Sequence, residues 1–139
     1  MKYQWILIFC AAMSLQACGQ LHKNHKHQTV NVMDINKITN PVAKAAIEAW
    51  QEGNSEKWLS FFTADAKLLD DGNERNFTKF STEAIGTERF TSIDKIEDKG
   101  TSIYGQFHSD TWGDFKTYFK FHINADGKIN QLEIGQADY

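Results

Sequence analysis

The sequence predicts an α+β domain, with helices first and a long antiparallel sheet after them. Two observations lead there: apolar residues recur at helical spacing between about residues 41 and 62, and from Arg89 onward they alternate between successive turn signals. The order adds a third, because an antiparallel sheet with one apolar face needs a cover, and the helices can supply it.

ITNPVAKAAIEAWQEG opens the first helix, with Asn40 as N-cap, Pro41 at the first helical position and Gly53 past the end. Asn54 or Ser55 caps a second, SEKWLSFF, which carries Trp58, Leu59 and Phe62 at helical spacing. Thr63 to Asp65 break that helix, and AKLLD forms a strand closed by Asp71 and Gly72. A third short helix is expected around KFSTEAIG, stopped by Gly86.

The turns then set the sheet register. Asp126-Gly127 suits a two-residue type I′ turn, which pairs Phe121 with Leu132, Phe119 with Ile134 and Thr117 with Gln136. A turn at Trp112-Gly113-Asp114 sets Phe107 opposite Phe119, Gly105 opposite Phe121 and Ile103 opposite Ile123. A turn at Lys99-Gly100 sets Ile96 opposite Ile103, Asp94 opposite Gly105 and Phe90 opposite Ser109. On this register Ser109, Thr117 and Gln136 are polar neighbours at one end of the inner face. His108 and His122 fall on the outer face with Tyr118 and Tyr104.

Aromatic residues make up 13% of the chain, including ten Phe and four Trp, which excludes a disordered tail. The net charge is −3, and Lys2, Lys23 and Lys26 all precede the first carboxylate, so the folded part is more acidic still. An acidic domain excludes a nucleic-acid partner. No phosphate loop, dinucleotide fingerprint or metalloprotease helix occurs, and neither a cofactor nor a metal is expected.

The first 17 residues have a lysine, an apolar run from Trp5 to about Leu15 and a small residue, Ala17, before Cys18: the layout of a cleaved signal peptide. Leu15-Gln16-Ala17-Cys18 resembles the lipobox of bacterial lipoproteins. That resemblance implies cleavage before Cys18, diacylglycerol on its sulfur and a fatty acyl group, such as palmitate, on its amino group. It places the protein in the bacterial cell envelope, at the outer membrane if the cell is Gram-negative. Cys10 lies in the discarded segment, so the mature chain has no disulfide within it. Residues 18–37 then read as a tether, and residues 38–139 as the domain. His22, His25 and His27 offer imidazoles for a metal ion, but in a tract without apolar residues the tether is the plainer reading.

AIEAWQEGNSEKWLSFFTADAKLLDDG, together with Asp126-Gly127-Lys128-Ile129 near the end, resembles the nuclear transport factor 2-like superfamily, particularly its SnoaL-like members. The resemblance covers about residues 38 to 138. It implies a sheet curled into a cone (a cystatin-like arrangement) with a pocket between its concave face and the helices. The residues expected at that pocket are Trp50, Trp58, Phe62, Phe90, Gly105, Phe107, Ser109, Thr117, Phe119, Phe121, Leu132, Ile134 and Gln136. Trp50, Trp58, Phe61 and Phe62 could stack on a ring-shaped ligand, but aromatics at helical spacing read more plainly as core.

Catalytic members of the superfamily place an Asp or His in the pocket. Asp94 is the inward carboxylate of the register above and the candidate general base, with Gly105 opposite leaving room for a ligand. A bulge in FTSIDKIED would instead turn Ile93 in and Asp94 out. The leading expectation is a lipid-anchored, non-catalytic domain that binds a small apolar ligand or a protein partner. The alternative is an isomerase- or dehydratase-type enzyme using Asp94. A homodimer through the outer sheet face, with Tyr104, His108, Trp112, Tyr118 and His122, is a further expectation.

Overall fold

In the computed structural model of the protein, which describes residues 33–139, three helices precede or interrupt a seven-stranded curved sheet and pack on its concave side. The expected signal segment, Cys18 and the tract with His22, His25 and His27 lie outside the described residues. Met33 and Ile35 pack against the core, a 3-10 turn covers Ile35–Lys37, and Lys37 Nζ donates to the Ile93 carbonyl at 2.7 Å. These residues, expected in the tether, therefore belong to the domain.

Asparagine caps all three helices, its short side chain accepting the N–H groups that a first helical turn leaves unpaired. Helix α1 spans Pro41–Gln51, and Asn40 accepts from the N–H of Val42 and Ala43, each at 3.0 Å. Helix α2, Ser55–Ser60, is capped by Asn54. Helix α3, Phe77–Ala84, follows Asn76 and starts two residues before the expected KFSTEAIG segment. Helix α2 also stops short of Phe62, which begins strand β1, Phe62–Asp70. Thr63 to Asp65, expected as a break, are part of that strand, and Phe62 is one of its buried residues.

The other strands are β2 (Asn73–Arg75), β3 (Glu88–Phe90), β4 (Lys95–Glu97), β5 (Ser102–Ser109), β6 (Gly113–Ile123) and β7 (Ile129–Gln136). Their order is β2-β1-β7-β6-β5-β3, with β4 also paired to β5. The β1–β7 pair is parallel, so the sheet is mixed rather than wholly antiparallel. No turn joins the first strand to the last, which is why hairpin signals alone missed that pairing.

Between β6 and β7 the expected pairs form: Phe121 with Leu132, Phe119 with Ile134, and Thr117 with Gln136. The turn is not type I′, because Gly127 is left-handed at φ 75° and Asp126 is not. Asn124 closes it instead, accepting the N–H of Asp126 and Lys128 on its side chain and that of Gly127 on its carbonyl. A bulge at His122/Ile123 absorbs the extra length.

The β5–β6 hairpin slides by four residues from the expected register. Phe107 faces Phe115, Gly105 faces Thr117, and Ile103 faces Phe119. An even slide keeps every side chain on its expected face, so the inner surface survives while its neighbours change. Ser109 selects this register by accepting the N–H of Thr111 and Trp112, each at 3.3 Å, which closes the turn one residue before Gly113.

The largest departure lies between β3 and β4. Phe90 pairs with Phe107 and Lys95 with Tyr104, so four residues, Thr91 to Asp94, run alongside only Gly105 and Gln106. The N–H groups of Thr91 and Ser92 both point to the Gln106 carbonyl. This bulge turns Ile93 into the core, 1% exposed, and Asp94 out to solvent. The space opposite Gly105 holds protein backbone: a Cβ there would overlap the Ser92 carbonyl. Gly105 thus makes room for the crossing strand and not for a ligand.

Trp50 and Trp58 form the centre of the core, their rings 4.9 Å apart. Trp50 also contacts Phe80 at 5.8 Å and Phe119 at 5.3 Å, while Trp58 contacts Phe62 at 4.7 Å. Each indole hides about 200 Å² from water, roughly 5 kcal/mol of transfer free energy, which holds the helices to the sheet. Gln51 at the end of α1 adds direction: its side-chain amide accepts the Phe90 N–H at 2.8 Å and donates to the Phe90 carbonyl at 2.9 Å. It substitutes for a neighbouring strand on the open side of β3.

Replacing Gly105 with Ala should destabilise the domain by about 1–3 kcal/mol, the usual cost of forcing an extra methyl into filled space. Urea denaturation measures it, and an unchanged midpoint would mean that Ser92 does not cross there.

Candidate functional site

The concave face is not completely covered. Between α3, β2 and the β5–β6–β7 end of the sheet lies a cleft of about 500 Å³. Phe107, Phe115, Phe119 and Ile134 form its sheet side, and Phe80 of α3 faces them. These positions follow from strand alternation, since Phe115, Thr117 and Phe119 point inward from β6 while Lys116, Tyr118 and Lys120 point outward. Trp112, in the turn after β5, stands at the cleft with 79% of its surface exposed.

Polar groups ring this apolar floor. Asp70 pairs with Arg75 across the β1–β2 hairpin, and the Arg75 guanidinium lies 5.4 Å from the Phe80 ring centre. Asp71, left-handed at φ 47°, accepts the Gln136 N–H at 3.1 Å. That contact needs Gly135, where a Cβ would collide with the Asp71 carboxylate and the Tyr118 hydroxyl. The Thr117 hydroxyl is buried and donates to the Gly135 carbonyl at 2.7 Å.

The group that sequence reasoning missed is Glu88. Strand β3 places it opposite Ser109, whose hydroxyl donates to Glu88 Oε1 at 3.0 Å while also accepting the turn N–H groups of Thr111 and Trp112. One serine therefore links the carboxyl to the turn that carries Trp112. Burial pushes the Glu88 carboxyl above its usual pKa, a shift only partly opposed by the Ser109 hydrogen bond and the charge of Arg75. Among the described residues no cation forms an ion pair with it. The signal was present in the sequence: the alternation that turns Phe90 inward also turns Glu88 inward, two residues earlier.

Of the residues expected at a pocket, Phe107, Thr117, Phe119, Ile134 and Gln136 line the cleft. Trp50, Trp58, Phe62, Phe90, Phe121 and Leu132 lie in the packed core, and Gly105 beneath the bulge. Ser109 is buried behind Glu88 and apart from Thr117 and Gln136, because the four-residue slide moved it along the sheet.

Asp94 is on the outer face, where its carboxylate accepts from Ser92 Oγ at 2.6 Å, Tyr139 Oη at 2.7 Å and Gln106 Nε2 at 3.3 Å. Partial burial alone would raise its pKa, but these three hydrogen bonds together outweigh burial and hold it below its usual value. It fastens Tyr139 to the sheet and does not line the cleft. A general base at that position is therefore corrected by the bulge.

His108 lies 2.6 Å from Asp114 and 3.3 Å from Asp110, and His122 lies 2.6 Å from Glu133, all on the outer face. Among the described residues no group of three or more His, Cys, Asp or Glu side chains is placed to hold a metal ion. Among them, too, no helix is long and apolar enough to cross a membrane.

Comparison with solved structures adds a frame for this geometry. A nuclear transport factor 2-like protein of unknown function from Cytophaga hutchinsonii superimposes with a TM-score of 0.56 at 9% identity, covering 76% of this chain and 91% of that one. The chain has a nuclear transport factor 2-like fold. A cystatin-fold protein from Novosphingobium aromaticivorans matches at TM-score 0.54 and 19% identity, over 67% and 93% of the two chains. The orange carotenoid protein of Anabaena, in a structure binding canthaxanthin, matches at 0.56 and 14%, over 74% of this chain but 36% of that one. A candidate polyketide cyclase from Xanthomonas campestris matches at 0.51 and 16%, over 75% and 93%. No family model matches the sequence, and no curated protein does.

Within this fold Glu88 makes a stability prediction. A carboxyl whose folded-state pKa is raised favours folding when protonated and costs stability once ionised, so its penalty is absent at low pH and complete above the raised pKa. Glu88→Gln removes the charge and keeps an acceptor for Ser109. The variant should melt a few degrees above the parent at pH 8 and should lose that advantage near pH 4, as followed by circular dichroism.

Proposed function

We propose that the protein is a lipid-anchored component of the bacterial cell envelope whose domain binds a small, largely apolar ligand in the cleft without transforming it. The observation that carries the reading is a cleft of about 500 Å³ whose apolar side is formed by part-exposed Phe115 and the edges of the otherwise buried Phe80, Phe107 and Phe119, beneath a polar rim. Such a site, apolar inside with a few polar groups to orient a guest, is the usual form of a small-molecule pocket. The binding of canthaxanthin by one protein of similar fold is consistent with it.

Anchoring is supported by the Leu15-Gln16-Ala17-Cys18 motif after an apolar run, and acyl chains on Cys18 would hold the domain at a bilayer. The outer sheet face, with half-buried Tyr104 and Tyr118 between Lys95 and Lys120, is the proposed surface for a second copy of the chain.

A second reading, an acid–base enzyme, is favoured by one observation: Glu88 is a half-buried carboxyl at the cleft with a raised pKa. In that reading Glu88 takes the role first expected of Asp94.

Native mass spectrometry of the protein purified from its own cells separates these readings. Binding without turnover predicts a released ligand of one defined mass that survives prolonged incubation unchanged. A mass that shifts with time, and stops shifting in Glu88→Gln, would favour the enzyme. Metabolic labelling with palmitate should mark the parent and fail on Cys18→Ser; label persisting on that variant would contradict the anchor.

A further inference from the structure

Of the charges at the cleft, only Arg75 and Asp70 neutralise each other. Arg75 is paired with Asp70, and its guanidinium rests over Phe80. Asp71 is seated against Gly135 and holds the Gln136 N–H. Glu88 has a single neutral donor, the Ser109 hydroxyl, and among the described residues no ion pair. The rim therefore carries three carboxylates against one guanidinium, which leaves two negative charges, Asp71 and Glu88, unmatched beside the apolar floor.

A half-desolvated carboxylate whose one neighbouring cation, Arg75, is already paired with Asp70 is an unfavourable arrangement that a ligand can relieve. Aromatic faces also carry negative potential and attract a positive group placed over them. An anionic guest would face repulsion from three carboxylates, and a neutral one would leave Glu88 as it is.

We infer that the cleft takes a small organic cation, an ammonium or amidinium group carried on an apolar ring or chain, with the charge held at Glu88 and the apolar part laid against Phe115 and the edges of Phe107 and Phe119 that line the cleft. Trp112 stands where it can close over the exposed side of such a guest. The inference rests on the binding reading above and sharpens it from any apolar ligand to one of stated charge.

A matched set of probes on one ring tests it: 2-(1-naphthyl)ethylammonium, 2-(1-naphthyl)ethanol and 3-(1-naphthyl)propanoate, titrated calorimetrically into the full chain. The ammonium should bind about tenfold more tightly than the alcohol and the propanoate most weakly of the three. Glu88→Gln should abolish the difference between ammonium and alcohol, and Glu88→Asp, which retains the charge, should keep part of it. Equal affinities for the three probes, tighter binding of the propanoate, or a preference that survives Glu88→Gln would overturn the inference while leaving the cleft a binding site. Failure of all three to bind would overturn the binding reading with it.

Discussion

The carbonyl of Ser92 occupies the space that a side chain on Gly105 would need, and the arrangement of the inner face depends on that crossing. It lets four residues on one strand pass two on the next, so that β3 and β4 can both pair with β5 although their registers differ by two. The bulge needs anchoring on its far side, because an edge strand with surplus residues would otherwise slip. Gln51 holds Phe90 before the bulge, and Lys37 holds the Ile93 carbonyl within it. Both anchors belong to the segment that packs through Trp50 against the sheet, so the aromatic core and the bulge fix each other.

From that geometry follows the separation of two carboxylates that lie six positions apart in sequence. Glu88, before the bulge, is turned inward to the cleft, where loss of water raises its pKa. Asp94, after it, is turned outward to Ser92, Gln106 and Tyr139, whose hydrogen bonds lower its pKa. Ser109 then couples Glu88 to the turn bearing Trp112, so the floor, the polar group and the exposed edge of the cleft share one hydrogen-bonded unit.

Much of the fold was legible because local signals and the core agree. Asn40-Pro41 and Asn54 start helices by satisfying free N–H groups, and strand alternation separates the inner from the outer face along most of β5, β6 and β7, up to the bulge at His122/Ile123. The β5–β6 turn departs from the register that Gly113 suggests because the serine hydroxyl at 109 decides where the chain reverses. The parallel β1–β7 pair and the two-residue surplus opposite Gly105 depend on contacts distant in sequence, which no turn dipeptide encodes. For that reason the alternation alone leaves Asp94 open between the two faces, and the bulge turns it outward, whereas extending the alternation back from Phe90 reaches Glu88.

The most direct measurement is a carboxyl-carbon NMR titration of the full chain, with Glu88→Gln and Asp94→Asn used to assign the two resonances. Glu88 is expected to titrate above the usual glutamate value and Asp94 below the usual aspartate value. An ordinary midpoint for Glu88 together with a raised one for Asp94 would reverse the inside and outside of the bulge, and with it the identity of the group that faces the cleft.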